Sequence, residues 1–421
     1  MKKYILIILC CLTSFPLWSY NVNMIVEHYS VDQGLPNNTV NCTLKDRDGF
    51  IWFGTWYGLC CFDGVKFKTF NKQEHDSDVP PRKIQRIVED KNGYIWVKTI
   101  DRKLYVFNKV TECFHAVYDD MKNYSENIQV IKLQNTAEGD VLLLTKDKNL
   151  LLAGVDEKGQ VTIKILFDSR NEINKHDYTL KHHVLCETEE YISWIGTDYK
   201  VSAVHKGAEL ASRPADFITS KINSGDKDSF TSFFEDGRKV WVGDRAGIFY
   251  SIDVRTGLVN RYVLSEIKGA ISNLLVTPAG YVYLSVAGQG TYEYDLAERR
   301  LQKINTEMND AMVTHAFIDQ YDKIWFHENE KALIYYDPLN HTAKRFPFTM
   351  FGKITTLYSE DAGERGLFFL SPAGEAWLFD REHAEMVYIN KLKQLSNDRT
   401  NQQFYHLMLD NDGVLWLSSA D

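Results

Sequence analysis

Short stretches of alternating apolar and polar residues recur at nearly constant distances along the chain. One copy begins with an apolar strand at Val40, turns at Asp46-Arg-Asp48-Gly49, and continues in a second strand centred on Trp52. The next copy has the same order, with a turn at Asp90-Lys-Asn-Gly and a strand centred on Trp96. Alternation with period two is typical of half-buried strands, and Asp-Gly or Asn-Gly is typical of tight hairpin turns.

The repeat can be followed through nine copies, with centres 42 to 51 residues apart. Leu143, Tyr283 and Phe368 are taken as the centres of three degenerate copies. Tryptophan lies at the other centres and is predicted to fill the space between neighbouring sheets: Trp52, Trp96, Trp194, Trp241, Trp325 and Trp416.

A period of this length predicts an all-β chain folded as a β-propeller, in which each copy supplies four antiparallel strands, A to D. One four-stranded sheet buries only part of its apolar area, whereas sheets stacked around an axis bury both faces. A β-helix would have a shorter period, and nine copies are too many for one β-sandwich. The expected architecture is a seven-bladed propeller followed by about two blades of a second, incomplete propeller.

The expected domain boundaries follow from this count. Residues 22–340 would form the seven-bladed ring, with Met24–Tyr29 closing the last blade beside Leu333–Tyr336. Residues 341–421 would begin the second propeller, with Thr342–Phe348 as its first strand, so the chain is expected to be truncated. The alternative is a single irregular ring that contains all nine copies.

Composition and charge narrow the functional classes. The net charge of −9 and the absence of a basic run in the sequence argue against a nucleic-acid partner. Residues 1–20 are typical of a secretory signal peptide, which predicts a periplasmic protein, and no other segment is expected to span a membrane. The five cysteines after residue 20 follow no metal or disulfide pattern and are expected to be small apolar strand residues, with Cys60 and Cys61 on opposite faces.

The loops between strands B and C vary from copy to copy, whereas the strands repeat. Variable polar and aromatic loops on a rigid scaffold are common binding sites. Trp56 is the most informative of these residues, because an indole in a polar loop needs a packing partner, a ligand or a protein partner. The candidate ligand-binding residues on this face are Trp56, Tyr57, Arg102, Asp198, Tyr199, Asp244, Arg245 and His327.

Catalytic motifs are not found in the sequence. It contains neither a G-x-S-x-G nucleophile elbow nor an H-E-x-x-H zinc motif. Asp46, Asp48 and Asp90 belong to the A–B turns, where carboxylates are expected to cap the backbone. No catalytic residue, metal or cofactor is therefore expected.

The first copy resembles the two-component regulator propeller repeats of periplasmic sensors in hybrid two-component systems. The resemblance covers Gln33–Val40, Asp46–Thr55, Tyr57–Leu59 and Phe62–Gly64, and the later copies share the spacing. It implies a sensor of glycan breakdown products, normally followed by a second propeller, a β-sandwich, a membrane helix and a kinase. No kinase motif is present in this sequence, so a link to the membrane would need further segments.

Three functions remain open from the sequence. The first is a sensor domain that binds an oligosaccharide without turning it over. The second is a platform for protein interaction or homodimerisation through the propeller faces. The third is a propeller lyase or glycosidase, which would need carboxylates or histidines that converge in the central funnel.

Overall fold

The computed structural model of the chain consists almost entirely of antiparallel strands. It describes residues 27, 29–70, 80–122, 124, 129–147, 149–168, 180–196, 201–207, 215–216, 230–304, 313–329, 331–351, 357–391, 403–410 and 413–420. Within these ranges the strands form nine sheets, eight of four strands and one of two. The described helical elements are α1 (Tyr118–Met121) and the 3-10 turns Val31–Gln33, Phe348–Phe351 and Gly363–Arg365.

The first five sheets follow one another along the chain. Sheet 1 contains β1 (Val40–Lys45), β2 (Ile51–Thr55), β3 (Leu59–Phe62) and β4 (Phe67–Phe70). Sheet 2 contains β5 (Ile84–Glu89), β6 (Ile95–Thr99), β7 (Leu104–Asn108) and β8 (Cys113–Ala116). Sheet 3 contains β9 (Val130–Asn135), β10 (Val141–Thr145), β11 (Leu150–Val155) and β12 (Val161–Phe167). Sheet 4 contains β13 (Leu180–Glu187), β14 (Tyr191–Gly196), β15 (Val201–His205) and β16 (Ala215–Asp216), and sheet 5 contains β17 (Phe230–Glu235), β18 (Lys239–Asp244), β19 (Ile248–Asp253) and β20 (Leu258–Val263).

The remaining four sheets continue the same order. Sheet 6 contains β21 (Ile271–Val276), β22 (Tyr281–Val286), β23 (Gly290–Asp295) and β24 (Arg300–Lys303). Sheet 7 contains β25 (Val313–Ile318), β26 (Ile324–Glu328), β27 (Ala332–Asp337) and β28 (Thr342–Pro347). Sheet 8 contains β29 (Tyr358–Asp361), β30 (Leu367–Leu370), β31 (Glu375–Asp380) and β32 (Glu385–Lys391), and sheet 9 contains β33 (Gln403–Leu409) and β34 (Leu415–Ala420).

The A–B turn of sheet 1 shows why aspartate and glycine recur at these positions. The Asp46 Oδ1 atom accepts hydrogen bonds from the backbone N–H groups of Asp48 (3.0 Å) and Phe50 (2.9 Å). Gly49 has a φ of +92°, a conformation that residues with a side chain rarely adopt. The expected turn capping by Asp46 is therefore confirmed, and Asp90 caps its own turn in the same way.

The same aspartate also holds the strand tryptophan. In sheet 1 the Trp52 Nε1–H group donates to Asp46 Oδ2 at 2.8 Å, and in sheet 2 Trp96 donates to Asp90 Oδ2 at 2.9 Å. Three further sheets repeat this bond, through the pairs Trp241–Asp236, Trp325–Asp319 and Trp416–Asp410. Each of these five indoles packs against the following sheet, so the aspartate satisfies the buried N–H that this packing creates.

Trp194 differs from the other five strand tryptophans. In the turn before Trp194, the Thr188 N–H donates to the Tyr191 carbonyl. Judged by strand pairing, the residue that matches Trp52 is Ser193, and Trp194 is one residue beyond it. A shift of one residue moves a side chain to the opposite face of a sheet. Trp194 accordingly packs back against sheet 3, and its Nε1–H group has no hydrogen-bond partner among the described residues. Leu143 was expected to match Trp52, but the strand pairing shows that Leu142 matches Trp52 and that Leu143 is one residue beyond that position.

Apolar clusters join the sheets in chain order. Nine clusters are found in the described part of the chain, one between each pair of consecutive sheets and one between sheet 9 and sheet 1. Between sheets 9 and 1, the ring of Tyr29 lies 6.2 Å from that of Trp416 and 5.2 Å from that of Phe62. The contacts therefore close one ring. This favours the alternative of a single irregular ring that contains all nine copies over a ring of seven sheets followed by two sheets of a second propeller.

Two strand assignments from the sequence are corrected by the pairing in sheet 7. Thr342–Pro347 pairs with β27 over its whole length, so it is the outer strand of sheet 7 and not the first strand of a second propeller. The same hydrogen bonds occupy the edge of β27 where Met24–Tyr29 was expected. Of that N-terminal segment the structure describes Glu27 and Tyr29, and Tyr29 lies between sheets 9 and 1.

The A strands of most consecutive sheets contact one another, and β33 of sheet 9 contacts β1 of sheet 1. Three of the side-chain hydrogen bonds between A strands are directed to the carbonyl of the first residue in the next A strand. They run from Asn41 to Ile84 (2.7 Å), from Thr231 to Ile271 (2.7 Å) and from Asn273 to Val313 (2.8 Å).

The vicinal cysteines agree with their predicted orientation. Cys60 packs toward sheet 9 and Cys61 toward sheet 2, so they face opposite sides of β3. Burial raises the pKa of the Cys61 thiol to about 12, which keeps it protonated at neutral pH.

Candidate functional site

The B–C loop of sheet 1 presents two exposed aromatic side chains on a rigid backbone. Thr55 ends β2 and caps the loop: its hydroxyl donates to the Gly58 carbonyl at 2.8 Å and accepts from the Tyr57 N–H at 3.2 Å. With the loop held in this way, Trp56 is 37% exposed and Tyr57 is 61% exposed. The two rings can therefore contact a ligand without a rearrangement of the backbone.

Backbone hydrogen bonds connect this loop to the next sheet. The Trp56 carbonyl accepts from the Lys83 N–H at 2.8 Å, and the Lys83 carbonyl accepts from the Ile100 N–H at 2.8 Å. The Lys83 ammonium also lies 5.3 Å from the centre of the Trp56 ring, within the range of a cation–π interaction. Trp56 thus has a packing partner and still keeps part of its indole in solvent.

The B–C loop of sheet 2 brings Arg102 to the same face. The Arg102 N–H donates to the Thr99 carbonyl at 2.9 Å, and its carbonyl accepts from the Val130 N–H of sheet 3 at 2.9 Å. The backbone φ of Arg102 is +68°, and its side chain is exposed. Because backbone hydrogen bonds hold Arg102 on both sides, the direction of its Cα–Cβ bond is fixed, and residues held at positive φ in this way are common at functional sites.

Lys98 lies at a position that is crowded in two other sheets. In sheets 1 and 5 the second residue after the strand tryptophan is glycine, at Gly54 and Gly243. A Cβ added there would lie 2.6 Å from Ile84 Cγ2 and 2.7 Å from Ile271 Cγ2, respectively, in the next sheet. In sheet 2 the matching residue is Lys98, whose side chain is only 6% exposed.

Lys98 belongs to a group of positive charges that we call the cationic corner, formed by Lys83, Arg86, Lys98 and Arg102. Arg86 lies directly opposite Lys98 in the pairing of β5 with β6, and the Lys98 ammonium donates to the Gln85 side-chain oxygen at 2.5 Å. Burial, and then the charges of Arg102 and Arg86, lower the pKa of Lys98. No carboxylate of the described residues lies within salt-bridge distance of these four side chains.

The other predicted ligand-binding residues lie on more distant sheets. Asp244 is 2% exposed and caps the B–C loop of sheet 5, because its Oδ1 atom accepts from the N–H groups of Ala246 (2.9 Å) and Ile248 (2.8 Å). Burial raises the pKa of the Asp244 carboxyl. Arg245, in the same loop, is exposed. Asp244 matches Thr55 of sheet 1 in position, so the structure gives it the role of a loop cap.

His327 is placed on β26 of sheet 7, not in a loop. Its Nδ1 atom lies 2.7 Å from the Thr314 hydroxyl, and burial together with the nearby His315 lowers its pKa. Asp198 and Tyr199 lie outside the described residues. Of the eight predicted ligand-binding residues, the structure thus brings Trp56, Tyr57 and Arg102 together on two adjacent sheets.

On the opposite face, an acidic cluster contains its own cation. The Lys109 ammonium lies 2.7 Å from Asp48, 2.8 Å from Glu89 and 3.1 Å from Asp46, all measured to a carboxylate oxygen. These carboxylates belong to sheets 1 and 2 and surround the ammonium. The arrangement is an ion-pair network that joins two sheets, with the lysine ammonium at the point where the three carboxylates converge.

A second concave region lies at the outer edge of sheet 8. It is a surface cavity of about 430 Å³ between the Phe348–Phe351 turn and strands β31 and β32. Tyr388 is half exposed there, and its hydroxyl donates to Glu375 at 2.9 Å. This cavity is distant in sequence from the B–C loops of sheets 1 and 2 and lies on a different sheet.

Comparison with known families connects the first site to a recognised repeat. Residues 34–57 match the family described as "Two component regulator propeller", and this match ends on the loop that carries Trp56 and Tyr57. The predicted resemblance to that family is therefore confirmed for this segment. None of the curated proteins matches the chain.

Solved structures show similarity of fold. The extracellular domain of the putative hybrid two component system BT3049 from B. thetaiotaomicron is 15% identical with a TM-score of 0.36, over 93% of this chain and 57% of that chain. The corresponding domain of BT4673, from the same organism, is 14% identical with a TM-score of 0.34, over 93% and 65%. Virginiamycin B lyase from Staphylococcus aureus is 9% identical with a TM-score of 0.35, over 69% and 92%. This chain therefore spans less than two thirds of these two extracellular domains.

The described helices include none with the length and apolar character needed to cross a lipid bilayer.

Proposed function

We propose that this chain is the periplasmic ligand-sensing propeller of a two-component regulatory system, and that it recognises an oligosaccharide derived from a complex glycan. The observation that carries the proposal is the exposed pair Trp56 and Tyr57. The pair lies at the end of the segment that matches the regulator propeller family, on a loop fixed by Thr55.

The chemistry of this face suits a sugar. Sugar rings present apolar C–H faces that pack on aromatic rings, and hydroxyl groups that accept hydrogen bonds from cationic side chains. Trp56 and Tyr57 supply the aromatic faces, while Lys83 and Arg102 supply donors at the side of the indole. Because the loops are held by backbone hydrogen bonds, binding would cost little ordering of the protein.

Two other functions would give different results. A lyase or glycosidase would release sugar products, and it would need a pair of catalytic carboxylates or a histidine with access to substrate. A homodimerisation face would show concentration-dependent mass in the absence of any sugar. The exposed aromatic pair is compatible with such a face, which makes dimerisation the second candidate function.

Isothermal titration calorimetry of the chain against a panel of neutral and acidic oligosaccharides tests the proposal. We expect binding heat without product formation for at least one member of the panel. Trp56→Ala should weaken that binding about tenfold or more, which corresponds to about 1.4 kcal/mol. Phe50→Ala is the matched control, because Phe50 is similarly exposed at 41% but lies in the A–B turn of sheet 1, on the other face.

Two outcomes would contradict the proposal. Sugar products in the calorimeter cell would indicate an enzyme. Binding that Trp56→Ala leaves unchanged would place the ligand elsewhere, and the cavity lined by Trp377 and Tyr388 would be the next region to test.

A further inference from the structure

The cationic corner raises a question that the sugar-binding proposal leaves open, namely why a lysine is buried at a position where sheets 1 and 5 have glycine and sheets 3 and 8 have leucine. Sheets stack closely at this position in sheets 1 and 5, and even one added carbon would collide with the next sheet. Sheet 2 instead accommodates a whole lysine side chain that is 6% exposed. A structural role would be served better by an apolar residue, because burying an ammonium without an ionic partner is unfavourable.

The surroundings of Lys98 are also positively charged. Arg86 lies opposite it on β5, and Arg102 is close enough to oppose its charge. Four described basic side chains elsewhere in the first two sheets have carboxylate partners: Arg47 with Glu89, Lys68 with Glu112, Lys103 with Asp101, and Lys109 with three acids. The corner thus concentrates unpaired positive charge in a chain whose net charge is −9.

We propose that the cationic corner binds an anionic oxygen group, a carboxylate or a sulfate, on the recognised sugar. This inference rests on the proposed function and adds the charge of the ligand to it. Arg86 and Arg102 would bind the anion from the solvent side with planar donor groups. The buried Lys98 ammonium would attract the anion from the protein side through its positive charge. The backbone link from Lys83 to Trp56 places this member of the corner beside the indole, so a sugar that contacts Trp56 could extend to the corner.

The cost of keeping Lys98 buried would then be recovered on binding. An anion at the corner would give the ammonium a charged partner in addition to the Gln85 side-chain oxygen that it already contacts. A residue that destabilises the free protein but favours a bound ligand is common at functional sites. Replacement of Lys98 should therefore have opposite effects on stability and on anion binding.

Thermal unfolding with simple anions provides the test. Sodium sulfate and sodium glucuronate serve as probes and glucose as the neutral control, with ionic strength held constant by sodium chloride. We expect sulfate or glucuronate to raise the Tm of the wild-type chain by several degrees, and glucose to leave it unchanged. A larger shift with sulfate would indicate a sulfated sugar, and a larger shift with glucuronate would indicate a uronic acid.

Variants assign the effect to the corner. Lys98→Met should melt at a higher temperature than the wild type without anion and should lose the anion-dependent shift. Arg102→Gln changes an exposed residue and should reduce the shift without affecting folding. Lys103→Met is the matched control, because Lys103 is paired with Asp101 at 3.5 Å and should leave the shift unchanged.

The possible failures can be told apart. If neither anion shifts the wild-type Tm, or if Lys98→Met and Arg102→Gln respond like the wild type, the cationic corner is not an anion site. If the anions bind at the corner but no oligosaccharide binds in calorimetry, the anion site stands and the sugar-sensing function fails. If only neutral oligosaccharides bind, sugar sensing stands and the inference about ligand charge is overturned.

Discussion

Gly54→Ala is expected to lower the free energy of unfolding by about 2–3 kcal/mol, although it adds a single methyl group. The new Cβ would lie 2.4 Å from the Cys42 sulfur and 2.6 Å from Ile84 Cγ2, so sheets 1 and 2 would have to move apart. Overpacking of a tight core typically costs this amount. Urea unfolding followed by tryptophan fluorescence measures the change, with an unaltered m-value as evidence that the folded state is preserved.

Gly154→Ala is the matched control for this substitution. Gly154 is also a buried strand residue, in β11, but an added Cβ would meet no atom closer than 3.5 Å. Alanine there should be neutral or should stabilise the protein by up to about 1 kcal/mol, because it restricts the unfolded chain. Equal effects of the two substitutions would show that sheets 1 and 2 do not approach each other as described.

Trp96→Phe is expected to destabilise the protein by about 3 kcal/mol. The substitution removes buried apolar area and leaves the Asp90 Oδ2 atom without the indole N–H that it accepts at 2.9 Å. Asp90 is 1% exposed, so solvent cannot replace the lost donor without a local opening of the turn. Chemical denaturation gives the stability, and near-ultraviolet circular dichroism checks that the tertiary packing is retained.

Trp194→Phe provides the comparison, since Trp194 is equally buried but has no acceptor for its indole N–H among the described residues. The same loss of area is then partly offset by removal of an unsatisfied donor, and the expected cost is about 1 kcal/mol. If Trp194→Phe is as costly as Trp96→Phe, the aspartate bond is not what stabilises the strand tryptophans.

These two tryptophans also show what the sequence could and could not predict. The spacing of six residues between Asp90 and Trp96 is visible in the sequence, and it predicts both the turn and the buried indole. Trp194 looks like another copy, but Thr188 replaces the aspartate. The backbone N–H of Thr188 bonds to the carbonyl three residues later, whereas that of Asp90 bonds to the carbonyl four residues later. Only the pairing of the two strands reveals that Trp194 faces the opposite way, because a one-residue shift leaves the local pattern of apolar residues intact.

The way in which the ring closes could not be predicted from the sequence for a different reason. Every repeat can supply an outer strand, so local pattern does not show which strand completes which sheet. The assignment of Thr342–Pro347 to sheet 7 depends on its backbone pairing with β27, and the position of Tyr29 depends on contacts with Trp416, far along the chain. Contacts between distant segments of this kind are set by the whole ring.

The candidate site was predicted in part. Trp56 and Arg102 were recognisable because they occupy variable loops between regular strands. Lys98 was missed, although the sequence contains a signal for it. Lys98 stands two residues after the strand tryptophan of its sheet, where sheets 1 and 5 have Gly54 and Gly243. The substitution becomes informative only when the structure shows that this position faces the next sheet at close range, and the repeat alone does not show that.

The central structural claim is that one ring of sheets carries these loops, with sheet 9 closing against sheet 1. The most direct measurement is a crosslink between Thr43→Cys and Met408→Cys, because the Thr43 hydroxyl lies 3.7 Å from the Met408 sulfur although 365 residues separate them. The single variants control for pairing with native cysteines. A closed ring predicts an intramolecular disulfide under mild oxidation, seen as faster migration on a non-reducing gel and as a loss of two free thiols relative to the reduced double variant. Separate rings of seven and two sheets would leave both introduced thiols free, and that result would contradict the account.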